Sequence, residues 1–67
     1  MGHARIQAAL IFDIKLSGVN APPLIFVTSA SMDRDALERA RILLEQHQEF
    51  DSAEIWRGMK LIGKVSI

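Results

Sequence analysis

Arg5-Ile6-Gln7-Ala8-Ala9-Leu10-Ile11-Phe12-Asp13-Ile14-Lys15-Leu16 decides the fold, because apolar side chains recur at every second residue. The even positions, Ile6, Ala8, Leu10, Phe12, Ile14 and Leu16, are all apolar. The odd positions, Arg5, Gln7, Ala9, Ile11, Asp13 and Lys15, are mostly polar. Successive side chains of a strand point to opposite faces. The segment therefore reads as a strand with one face on a core and one face open. Downstream, Ser17-Gly18-Val19-Asn20-Ala21-Pro22-Pro23 breaks the pattern with turn-forming residues. Proline cannot donate to a ladder, so the next strand starts at or after Pro23. Leu24-Ile25-Phe26-Val27-Thr28 is short, aromatic and β-branched, and reads as a second strand antiparallel to the first. It is apolar on both faces, which predicts a central place in the sheet or a covered outer face.

The period then changes from that of a strand to that of a helix. Ser31 is the expected N-cap, with Asp33 and Asp35 in the first turn, where negative charge suits the helix dipole. Ala36, Leu37, Ala40, Leu43, Leu44 and His47 fall at helical spacing and form one stripe. Arg34–Glu38, Asp35–Arg39 and Arg41–Glu45 are opposite charges four residues apart on the other face. No Gly or Pro interrupts residues 32–50, and the helix is expected to end near Phe50-Asp51-Ser52. Ala53 to Arg57 and Lys60 to Ile67 then read as two strands around a tight turn at Gly58-Met59. Simple alternation puts Ala53, Ile55, Leu61, Val65 and Ile67 on one side. Glu54, Trp56, Lys60, Ile62, Lys64 and Ser66 fall on the other. Gly63 marks a bulge or bend in the last strand. The expectation is one α+β domain over residues 1–67, with a four-stranded, mainly antiparallel sheet in β-β-α-β-β order and one helix on one face.

Composition narrows the function. A domain of 67 residues buries only about 60% of the surface its unfolded chain exposes. Domains this small usually gain stability from disulfides, a metal or a partner subunit. Cysteine is absent, and His3 and His47 are the only histidines. No cofactor or metal is therefore expected, and oligomerisation remains as the source of extra burial. Eight basic and eight acidic residues cancel, whereas nucleic-acid binders carry a basic excess. No apolar run approaches the ~20 residues of a membrane span. The alternation, with Asp13 and Lys15 inside it, is unlike the core of a signal peptide. A cytoplasmic location follows as the expectation.

No catalytic constellation emerges. There is no cysteine nucleophile, no G-x-S-x-G elbow around any of the five serines, and no glycine-rich phosphate loop. His47 reads as a residue at the helix C-terminal end rather than as a base, because nothing converges on it. Asp33 and Asp35 read as first-turn charges, because no third ligand is spaced to join them. The expectation is a protein that is not an enzyme. Its open sheet face would gather Trp56, Ile62, Ile11 and Val27 into a patch larger than a monomer usually exposes. That predicts an interaction or regulatory module whose partner is protein, itself included, forming a homodimer through the open sheet face or an edge strand, with Trp56 as anchor. Two alternatives stand beside it. Arg57, Lys60 and Lys64 flank Trp56 and form a candidate surface for single-stranded nucleic acid. A ligand or catalytic site formed only at a dimer seam is the other.

A resemblance accompanies these readings. Ala36-Leu37-Glu38-Arg39-Ala40-Arg41 with Leu43-Leu44, then Ala53-Glu54-Ile55-Trp56-Arg57-Gly58 and Leu61-Ile62-Gly63, resembles small uncharacterised bacterial proteins. Those proteins carry an A-L-E-x-A-R-x-L-L helix followed by a V-E-V-W-x-G-x-x-L-V-G hairpin. The likeness covers the last half of the chain. It implies a helix followed by a hairpin, and no activity.

Overall fold

The computed structural model describes residues 9–67. The first part of the alternating segment, with Ile6 and Ala8, lies outside the described residues. Five elements follow in the expected order: β1 (Leu10–Ser17), β2 (Leu24–Ala30), α1 (Asp33–Gln46), β3 (Ser52–Arg57) and β4 (Lys60–Ser66). The strands form one antiparallel sheet in the order β2-β1-β3-β4. β2 and β3 are both antiparallel to β1, so they run the same way. A tight turn cannot join strands of like direction. The helix supplies that crossover and packs on the sheet as it passes.

The alternation in β1 is realised residue by residue. Phe12, Ile14 and Leu16 are fully buried beneath the helix. Ala53 and Ile55 from β3 join them, with Ala36, Ala40 and Leu44 from α1 and Phe50 from the segment after it. Each large side chain buried this way contributes about 1.5–3 kcal/mol of transfer free energy. Two alanines on the helix's buried stripe keep the helix close to the sheet. Gly63 serves the same approach on β4, where an added Cβ would lie 2.8 Å from a Leu37 methyl carbon. The β3–β4 connection needs a glycine for another reason. Gly58 has φ +62° and Met59 does not share a positive φ, the pattern of a two-residue hairpin turn with glycine first.

Three local expectations are corrected. β2 is an edge strand and not a central one, because β1 takes the middle by pairing with both β2 and β3. Met32, not Ser31, occupies the N-cap position, and no side chain caps it. The Ser31 hydroxyl instead donates to Asp35 Oδ2 at 3.3 Å. The helix stops at Gln46, short of Phe50. The His47 N–H still donates to the Leu43 carbonyl, and the Phe50 N–H donates to the His47 carbonyl in a following turn. Leaving the helix there turns Phe50 into the core, where it is only 4% exposed. Burial of one large aromatic ring outweighs one more turn of polar helix.

The turned segment after the helix is locked against the end of β1. The Asp51 N–H donates to the Ser17 carbonyl, and the Asp51 carbonyl accepts from the Ile67 N–H. Gly18 permits this closeness, since a Cβ on it would lie 2.4 Å from the Glu49 carbonyl oxygen.

Candidate interaction surface

The open face follows from strand register, because residues paired across an antiparallel sheet share a face. Asp13 pairs with Val27 on β2 and Trp56 on β3, and Trp56 pairs with Leu61 on β4. One row of the open face therefore reads Val27, Asp13, Trp56, Leu61. The neighbouring row reads Ile25, Lys15, Glu54, Lys64. Ile11 and Ser29 pair at the far end, and Ser17, Ser52 and Ser66 line the other. Four aliphatic side chains stand out to solvent: Ile11 at 58% exposure, Ile25 at 61%, Val27 at 70% and Leu61 at 47%. Trp56 is half-buried, and its indole Nε1–H donates to Glu54 Oε1 at 3.2 Å. Its ring stays on the open face while its polar edge is satisfied locally.

The expected cluster of Trp56, Ile62, Ile11 and Val27 is thus assembled in part. Ile11, Val27 and Trp56 share the open face, but Ile62 packs against the core on the helix side. The cause is a bulge between Ile55 and Trp56 in the β3–β4 ladder. An extra residue in one strand reverses the facing of everything beyond it. Leu61 takes the outward place predicted for Ile62. Gly63 was the signal for this: inserting the irregularity there places Leu61 beside Trp56. The patch is also interrupted. Asp13 lies between Val27 and Trp56, so these two side chains stand two strand spacings apart, about 10 Å.

Arg57, Lys60 and Lys64 are not brought to one face. Arg57 Nη1 donates to Asp33 Oδ1 at 2.7 Å on the helix side. Lys64 pairs in register with Glu54 on the open face, and Lys60 sits beside the turn. The Asp33–Arg57 pair ties the first turn of α1 to the end of β3. Sequence reading gave Asp33 only a dipole role, and the 24-residue separation from Arg57 left no local pattern to find. On the solvent face of α1, Arg41 bridges Glu38 and Glu45, the second at 2.6 Å. The Arg41 hydrogen bond and charge hold the Glu38 carboxyl below its ordinary value, and the same partners raise Arg41. Of the three predicted helix pairs, Arg41–Glu45 forms.

His47 lies at the helix C-cap with its ring 5.5 Å from that of Phe26, tilted by 46°. Among the described residues no three His, Asp or Glu side chains gather as a metal site, no polar side-chain atom is buried without a partner, and no cavity is enclosed. Among the described residues no helix is long and apolar enough to cross a membrane. Comparison with protein-family models, with curated proteins and with solved structures gives no match.

Proposed function

We propose that this chain is a non-enzymatic interaction or regulatory module that associates with a second copy of itself through its sheet, by the open face or by an edge strand. The observation behind this reading is the distribution of apolar side chains. The helix covers one face, yet Ile11, Ile25, Val27 and Leu61 stand exposed on the other. Ile25 lies beside Val27, and Val27 beside Ile11, on that face, and contiguous exposed apolar side chains usually mark an interaction site. A 67-residue domain without cysteine also has few other ways to bury more area. Two-fold pairing is the commonest arrangement for identical chains. The nucleic-acid alternative loses its focus, because Arg57 is engaged by Asp33 and Lys64 faces Glu54.

Sedimentation equilibrium over a wide protein concentration range, at low and high salt, tests the proposal. The expected result is a dimer mass that persists at high salt, as an apolar contact requires. A monomer mass at every concentration would refute it.

A further inference from the structure

The two edges of the sheet are built differently. β4 carries Lys60 and Lys64, and a bulge interrupts its pairing with β3. Lysines and bulges are the usual guards against another strand adding to an edge. β2, Leu-Ile-Phe-Val-Thr-Ser-Ala, has seven residues, no charge, no proline and a regular pairing along its whole length with β1. Among the described residues it pairs on one side only. Its outward N–H and C=O groups therefore form a regular, unguarded ladder edge.

Resting on the self-association reading, we propose that β2 is the seam, and that it pairs antiparallel with β2 of a second copy about a two-fold axis through Val27. Geometry selects this register. An antiparallel pair of identical edge strands is related by an axis normal to the sheet, so both helices lie on the same side. Facing residues then share a face, and the axis passes through a residue and not between two. Centring on Val27 overlaps all of Leu24–Ala30. A centre at Phe26 brings Pro23 into the ladder, which cannot donate. A centre at Thr28 leaves Leu24 and Ile25 unpaired. In the Val27 register Ile25 meets Ser29 of the other copy, and the two Val27 side chains meet each other. Both are among the exposed aliphatics that the monomer leaves uncovered. The product is one continuous sheet of twice the width with both open faces aligned.

The absence of cysteine makes cross-linking a clean test. A residue on the axis faces its own copy with Cα atoms about 4.5–5.5 Å apart, within the Cα separation that a disulfide spans. Val27→Cys is expected to give mostly covalent dimer on mild oxidation of the folded protein, and little when the oxidation is carried out in guanidinium. Leu24→Cys mixed with Ala30→Cys is expected to give the mixed dimer, and Leu61→Cys none. The Leu24–Ala30 pair lies on the helix side, so face-to-face packing of two open faces cannot produce it. A further arm uses Trp56→Ala, which is expected to leave the dimer mass unchanged. Three results would overturn the seam. If Trp56→Ala weakens assembly while Val27→Cys stays uncrosslinked, the contact is the open face and self-association survives. A wild-type dimer without the Leu24–Ala30 mixed product also removes the β2 ladder. A monomeric wild type without cross-links removes both readings together.

Discussion

Gly18→Ala tests the close approach of the 49–51 segment to the end of β1. An added Cβ would lie 2.4 Å from the Glu49 carbonyl oxygen and 3.2 Å from the Phe50 Cα. The first contact is about 1 Å short of a comfortable non-bonded separation. Both opposing atoms are backbone, so no side-chain rotation relieves the clash. The 49–51 segment must move away from β1. That movement strains the Asp51 N–H bond to the Ser17 carbonyl and withdraws Phe50 from the core. Overpacking of this kind costs about 1–3 kcal/mol. The alanine also restricts the unfolded chain, which offsets about 0.4–1 kcal/mol. The expected net loss is about 1–2 kcal/mol, and a domain of this size loses about 4–8 °C of midpoint per kcal/mol. Urea and thermal unfolding followed by far-ultraviolet circular dichroism measure it at a fixed protein concentration, since association shifts the midpoint. A variant as stable as the wild type would refute the close approach. It would also remove the stated reason for a glycine at this position.

Other substitutions probe separate parts of the structure. Phe12→Ala, at a fully buried site on the central strand, is expected to cost about 3–5 kcal/mol and leave a largely unfolded population in the absence of denaturant. Asp33→Asn removes the ion pair to Arg57. Both partners are partly exposed, so the expected loss is small, about 0.2–1 kcal/mol in urea unfolding. The lowered Glu38 carboxyl makes its contribution fully present above the unfolded-state value and loses it as pH falls through the folded-state value. Glu38→Gln is therefore expected to flatten that acidic part of the stability profile, with a small loss of stability above the carboxyl's titration and none below it. Unfolding midpoints across the acidic range would show this.

Much of the architecture was legible in local pattern. Period-two alternation in β1 and the helical stripe of Ala36, Ala40 and Leu44 each identify an element and its buried face from neighbours a few residues away. Gly58 marks its turn because few other residues adopt a positive φ cheaply. The same reading failed at β4, where one extra residue exchanged the faces of Leu61 and Ile62. Alternation carries no information about a bulge until the paired strand is known. The helix end was missed for a related reason. Propensity continued past Gln46, but a core vacancy for Phe50 exists only once the sheet is assembled.

By itself the sequence determined the element order, the face of β1 that meets the core, and a composition without disulfides or charge excess. These depend on side-chain chemistry and on spacing along the chain. Only the tertiary structure decided strand order, and with it which strands are edges. β2 lies at an edge because β1 pairs with both β2 and β3, a choice made by contacts distant in sequence. The Asp33–Arg57 tie, the outward turn of Leu61 and the unguarded edge of β2 belong to the same class. Each arises where segments far apart along the chain are brought side by side, and no local pattern encodes that meeting.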